Sequence, residues 1–180
     1  MAGHSVTIQG EEFSLLFTQD DIARRIQALG KEIAASLSGK DLVYIGVLNG
    51  AFMFFSDLVK AIGLDAPVHF VKVASYHGME SSGRVRELVG YTGDIKGKDV
   101  LLIDDILDTG HTYHYLIGSL QAKEPRSIHF ACLLHKPSAT QVADAKPDYV
   151  AFTIENHFVV GFGLDYNQAG RTFTNLYYKS

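Results

Sequence analysis

Between Asp20 and Leu37 the apolar residues Ile22, Ile26, Leu29, Ile33 and Leu37 return every three or four positions, a spacing that predicts an amphipathic helix opened by Asp20 or Asp21. Gly30, inside that stretch, is the one residue that argues against it. The period then changes. Asp41–Leu48 (DLVYIGVL) is almost continuously apolar, as expected of a strand covered on both faces. Asn49-Gly50 interrupts it, AFMFFSDLVKAI reads as an apolar helix, and PVHFVKVASY as the next strand. HGMESSGRVREL, with its glycines, serines and charges, predicts a mobile loop feeding a short strand or hairpin. KDVLLIDDI is the clearest strand of the chain, followed by a helix over His111–Ala122 with Tyr113, Leu116, Ile117 and Leu120 on one face. SIHFACLLH, PDYVAFTI and FVVGFG supply further strands. Strands alternating with helices imply an α/β fold, with a mainly parallel sheet flanked by helices. Ligands of such sheets bind beyond the carboxyl ends of the strands.

Composition narrows the setting. A chain of 180 residues can bury a proper core as one domain without disulfides. A net charge of −4 with no run of Lys or Arg argues against a nucleic-acid partner. No apolar run is long enough to span a bilayer, and MAGHSVTIQGEEF lacks the pattern of a signal peptide. The single Cys132, inside HFACLL, reads as a buried thiol and excludes an internal disulfide. Together these predict a cytoplasmic protein that engages neither membrane nor nucleic acid.

The densest chemistry lies in VLLIDDILDTGHTYH, Val100 to His114. With the strand ending near Asp104, Asp104 and Asp105 point to opposite sides at its carboxyl end. Asp108 and Thr109 then fall at the first turn of the following helix, where free N–H groups form an anion site and Gly110 permits close approach. Thr109 and Thr112 can add hydroxyl donors. Phosphate suits the turn, and the acidic pair suits vicinal hydroxyls, directly or through hydrated Mg²⁺. In isolation, Asp108 could be no more than a helix cap. The strand, acidic pair and Asp-Thr-Gly-x-Thr in succession favour a ligand that carries both hydroxyls and phosphate.

VLLIDDILDTGHTY resembles the phosphoribosyl-pyrophosphate (PRPP) motif of the type I phosphoribosyltransferases. IGVLNGAFMFFSDLV resembles the first active-site loop of the hypoxanthine-guanine members, ASYHGMESSG their mobile catalytic loop, and HKPSA with PDYVAFTIENHFVVGFGLDYNQAGR their purine-binding end. The resemblance runs from Tyr44 to Arg171 with the motifs in family order. It implies a single phosphoribosyltransferase domain over 1–180, with a small purine-binding hood from the N- and C-terminal segments and a mobile loop at about 75–90. The implied reaction moves the 5-phosphoribosyl group of PRPP to N9 of a 6-oxopurine, hypoxanthine or guanine, giving IMP or GMP and pyrophosphate.

The resemblance also implies roles. Asp108, Thr109, Gly110, His111 and Thr112 would cradle the 5-phosphate, with Asp104 and Asp105 on the ribose hydroxyls and Mg²⁺. Asp108 would exchange a proton with purine N7. Lys136 would hydrogen-bond O6, Phe158 stack on the base, and Val159 read its edge through the backbone. Asp165, at the purine-binding end, would be a ligand of a second Mg²⁺ bound through pyrophosphate, and Arg171 would contact pyrophosphate. Leu48, Asn49 and Gly50 would bind pyrophosphate through the backbone, often by way of a cis peptide. Many relatives have Lys where this chain has Asn49, which removes a cation there. Ser75 and Tyr76 would close over the transition state. Relatives form dimers or tetramers, so a homo-oligomer is expected. Two alternatives remain open in the sequence: a non-catalytic PRPP or nucleotide sensor on the same fold, and a transferase that prefers xanthine.

Overall fold

A computed structural model describes residues 5–75 and 85–180. The chain opens with a hairpin of β1 (Ser5–Ile8) and β2 (Glu11–Phe17), followed by α1 (Gln19–Leu37), β3 (Leu42–Leu48), α2 (Phe52–Ile62), β4 (Val68–Ser75) and β5 (Val85–Val89). Then come β6 (Asp99–Leu107), α3 (His111–Gln121), β7 (Ser127–His135), β8 (Tyr149–Thr153), β9 (Val159–Val160) and β10 (Leu176–Lys179).

The main sheet has the order β5-β4-β3-β6-β7-β8, parallel from β4 to β8 with β5 antiparallel at the edge. Its strands are buried on both faces, and alternate residues go to opposite cores. Leu42 and Tyr44 of β3, Leu101 and Ile103 of β6, and Ala131 and Leu133 of β7 pack with α1 and α2. Val43, Ile45, Val100, Leu102, Phe130 and Cys132 pack on the other side with Leu116 and Leu120 of α3. Strand order reverses between β3 and β6, so the crevice beyond their carboxyl ends is the favoured ligand position. No helix of the described residues is long and apolar enough to cross a membrane.

A smaller antiparallel sheet, β1-β2-β10-β9, joins the two ends of the chain around Ile8, Phe13, Val160 and Tyr177. The hydrophobic pattern predicts none of β1, β2 or β10. FVVGFG forms a strand only at Val159–Val160, because Gly161 and Gly163 turn the chain away. The cap of α1 is Thr18 rather than Asp20 or Asp21: its hydroxyl accepts from the Asp21 amide, while the Asp21 carboxylate accepts from the Thr18 amide. β6 does not end near Asp104 but continues to Leu107, held by parallel pairing of Ile106 and Leu107 with Leu134 and His135.

Candidate active site

Three segments meet where β3 and β6 end. The Leu48–Asn49 peptide is cis, and Gly50 follows it against β6. A Cβ on Gly50 would lie 1.5 Å from Asp105 Oδ2, and one on Gly163 would lie 2.0 Å from the Gly50 carbonyl oxygen. The backbone of the β3 loop therefore packs directly on the Asp105 side chain and on the backbone of the segment after β9.

Asp104 is buried beside Cys132 of β7, and its Oδ1 accepts the Asp105 amide at 2.9 Å. Burial first, and then the Asp105 charge, hold its carboxyl well above the ordinary carboxylate range. Asp105 is also raised by burial, although hydrogen bonds from Asp104 and the backbone and the nearby Arg171 charge oppose the shift. Burial, with Asp104 alongside, pushes the Cys132 thiol up, so it is an inert core group.

Arg171 lies across the same mouth. Its guanidinium contacts Asp165 Oδ1 at 2.7 Å and donates to the Gly163 carbonyl at 3.0 Å. Asp165 Oδ2 also accepts the Gln168 amide at 2.7 Å, so this carboxylate is both a turn former and an ion-pair partner.

Past β6, Asp108 and Thr109 lead into Gly110, which sits at φ +90° with Ala145 and Val142 packed where a Cβ would go. No side chain caps α3, which leaves the amides of its first turn, at His111 and Thr112, available to an anion. Lys136, the first residue after β7, is 5% exposed. Its ammonium lies 3.1 Å from Asp108 Oδ2, the one partner it meets among the described residues. An ammonium has three donors, so two remain for a ligand. The segment from Lys136 to Val142 is stitched to the β6–α3 turn. Lys136 N–H donates to Leu107 O at 3.0 Å, the Thr140 hydroxyl to Asp108 O at 2.9 Å, and Gln141 N–H to Thr109 O at 2.9 Å.

Phe158 presents a half-exposed ring, edge-on to Tyr166 at 5.7 Å. Its carbonyl accepts the Lys179 amide of β10, so alternation turns the backbone groups of Val159 towards the free edge of the small sheet. Neither residue hydrogen-bonds to Asp108 or Lys136 among the described residues. Ser75 ends β4, its side chain outside the described set, and Tyr76 lies outside the described residues altogether.

The structure thus brings Gly50, Asp104, Asp105, Asp165 and Arg171 to one mouth, and Asp108–Thr112 with Lys136 to its neighbour along β6. Gly163 and Thr140 are additions that sequence patterns do not single out. FVVGFG has a repeated glycine that hints at the first, and nothing marks the second. Among the described residues no three His, Cys, Asp or Glu side chains gather as a metal cage. Separate carboxylates of the Asp104–Asp105 and Asp165 kind suit a hard cation that keeps part of its water shell better than a dedicated cage.

Residues 15–167 match the phosphoribosyl transferase domain family. The chain is 40% identical over 172 residues to the hypoxanthine-guanine phosphoribosyltransferase of Aquifex aeolicus, covering 94% of this chain and 96% of that protein. It is 43% identical to the Mycobacterium avium protein of the same name, covering 93% and 85% respectively. The crystal structure of a Staphylococcus aureus hypoxanthine phosphoribosyltransferase superposes with a TM-score of 0.87 at 38% identity, over 92% of this chain and 90% of that one.

Proposed function

The chain belongs to the hypoxanthine-guanine phosphoribosyltransferases of the type I family, and we propose that the Asp108–Lys136 pair is the part of its site that selects the base and moves the proton. The protein transfers a phosphoribosyl group from PRPP to a 6-oxopurine in purine salvage. The observation that carries the site reading is a buried ammonium 3.1 Å from a half-exposed carboxylate, beside an uncapped helix turn. O6 and N7 of a 6-oxopurine are neighbouring acceptors on one edge of the base. Lys136 has donors only, so it matches O6 and is mismatched to the amino group of adenine. Asp108 then faces N7, and as N9 bonds to the anomeric carbon and the bond to pyrophosphate breaks, its carboxylate takes the proton that N7 carries in the incoming base. Phe158 stacks on the base, and the outward backbone of Val159 reads its other edge.

The same arrangement seats PRPP. The first-turn amides of α3, with Thr109, His111 and Thr112, take the 5-phosphate, while Gly110 keeps the approach open. Asp104 and Asp105 accept the ribose hydroxyls. Pyrophosphate leaves against the backbone of Leu48, Asn49 and Gly50 and towards Arg171; with Asn49 in place of Lys, backbone donors carry this contact. Mg²⁺, held through Asp104, Asp105 and Asp165, supplies charge neutralisation of the diphosphate. Ser75 and Tyr76 exclude water when the site closes. Rigid placement of the sugar matters because cleavage at the anomeric carbon develops oxocarbenium character.

A homodimer or tetramer suits the exposed apolar side chains Phe52, Val68 and Phe70 on α2 and β4, and light scattering of the purified protein tests it. Work in the reducing cytoplasm accords with the lone buried Cys132. The deciding experiment is a spectrophotometric assay with PRPP and Mg²⁺, offering hypoxanthine, guanine, xanthine, adenine and uracil in parallel. Mononucleotide from hypoxanthine and guanine and none from adenine is the expected result. Product from xanthine alone would assign a different acceptor. No product from any base, with PRPP still binding by calorimetry, would turn the site into a sensor.

A further inference from the structure

We infer that Thr140 is a positioning residue for the proton-transfer and O6-reading pair, acting through a hydroxyl that ties the main chains of Asp108 and Lys136 together. This rests on the roles proposed above for those two residues. Asp108 and Lys136 are 28 positions apart and belong to different elements, one after β6 and one after β7. Their side chains touch through one of the three ammonium donors, and that single contact between two rotatable groups does not by itself fix where each meets a base. The spacing that both must keep along the O6–N7 edge is set by the main chains that carry them.

Carbonyls Leu107, Asp108 and Thr109, in succession, are all taken by the segment after β7. Leu107 O accepts from Lys136 N–H at 3.0 Å, and Thr109 O from the amides of Gln141 and Val142 at 2.9 and 3.3 Å. These are backbone bonds that survive most substitutions. The middle carbonyl, that of Asp108 itself, is bonded by a side chain, the Thr140 hydroxyl at 2.9 Å. The same oxygen lies 3.1 Å from the Lys136 carbonyl, so one hydroxyl proton is shared between the two residues that meet the base. Thr140 is only half-buried and fills no core position, so loss of packing is a small part of what its removal does.

Two hydroxyl-free variants, Thr140→Val and Thr140→Ala, and one that keeps it, Thr140→Ser, separate this role from a merely structural one. Thr140→Val preserves shape, and a lost hydrogen bond of ordinary strength expressed at the transition state is about a tenfold change. The expected result is a kcat/KM for hypoxanthine lowered about tenfold in both hydroxyl-free variants. The KM for PRPP should stay within about twofold, because the backbone bonds at Thr109 still hold the phosphate turn. Thr140→Ser should return to within about twofold of the parent.

Unchanged kinetics, an equal loss towards both substrates, or a Thr140→Ser protein as impaired as Thr140→Val would each overturn the inference. So would failure of both hydroxyl-free variants to fold, since that is the signature of a structural bond. Asp108→Asn and Lys136→Ala are measured in the same plates. If they are impaired and Thr140→Val is not, only the role of Thr140 falls. If neither is impaired, the reading of the pair falls, and Thr140 with it.

Discussion

Replacing Asp104 by Asn should make the ligand-free protein more stable while damaging its reaction, and both halves follow from where Asp104 sits. Its carboxyl is buried next to that of Asp105, and burial with the neighbouring charge holds it well above the ordinary carboxylate range. The unfolded chain releases that proton near pH ~3.9, and the folded chain only at higher pH. The stability contributed by Asp104 is therefore complete below the unfolded value and is lost as pH rises through the folded one. Asn reproduces the protonated form: its Oδ1 can still accept the Asp105 amide, now at 2.9 Å, and its Nδ2 can donate to the Asp105 carboxylate. Two like charges in contact cost up to about 4 kcal/mol at an effective dielectric of 20. The Arg171 charge offsets part of that, and the intermediate exposure of Asp105 offsets a further part. We expect a gain of about 1–2 kcal/mol at neutral pH, or roughly 3–6 °C in Tm for a chain of this size. The assay is thermal unfolding of both proteins, ligand-free in EDTA, from pH 4 to 8.5. The Tm difference should be near zero at the acid end and widen towards neutrality. Transfer by the variant should fall at least about tenfold, since the charge-assisted acceptor proposed for the ribose is gone. A Tm at pH 7.5 equal to or below the parent's, or an offset that does not change with pH, would refute the reasoning.

Further substitutions probe separate parts of the site and the core. Asp108→Asn should leave PRPP affinity by calorimetry near the parent value while lowering kcat by at least ~100-fold; unchanged turnover would remove Asp108 from proton transfer. Lys136→Ala should raise the KM for hypoxanthine far more than that for PRPP, and equal effects would count against recognition of O6. Gly50→Ala places a Cβ 1.5 Å from Asp105 Oδ2 and must push the β3 loop or Asp105 aside. The PRPP-induced rise in Tm should shrink or vanish in this variant, and a normal shift would show that the contact is dispensable. Leu58→Ala, at a fully buried position between α2 and the sheet, should cost about 2–5 kcal/mol in denaturant unfolding with kcat per folded molecule unchanged.

Some of these features are legible in the sequence because they depend on little beyond the local chain. β3, β6 and β7 are buried on both faces, so they appear as unbroken apolar runs, and the stripe of α1 keeps helical spacing because one side alone faces the sheet. Gly30 weakens that helix by pattern, but a Cβ there would meet Ala61 Cβ at 2.6 Å, so the residue is what lets α1 and α2 approach. The small sheet is less visible. Leu15 faces the core of that sheet, while Leu16 and Phe17 pack on the main one, so β2 shows neither clean alternation nor a long apolar run. Its hairpin did leave a mark: Gln9 and Gly10 both take positive φ, the two-residue turn that suits the twist of a tight hairpin.

The site divides along a similar line. Asp104, Asp105, Asp108 and Lys136 could be found because their charge is in the side chain and their order follows the strand and turn that carry them. Thr140 and Gly163 work through backbone groups that only tertiary closure brings near, and a threonine's effect on a carbonyl 32 residues away has no local signature. Even the visible residues had a part that could not be read. The sequence shows that Asp104 and Asp105 are acids, whereas the upward shift of both carboxyls depends on depth in the sheet, on the charge of Asp105 beside Asp104 and, in the opposite sense, on Arg171 across the mouth. A site that holds two carboxylates out of water stores a cost that its own ligand relieves, since hydroxyls and a divalent cation are what an unsolvated acidic pair lacks. The acids that look misplaced beside a phosphate turn are therefore a measure of how strongly the empty site favours a ligand with both kinds of group.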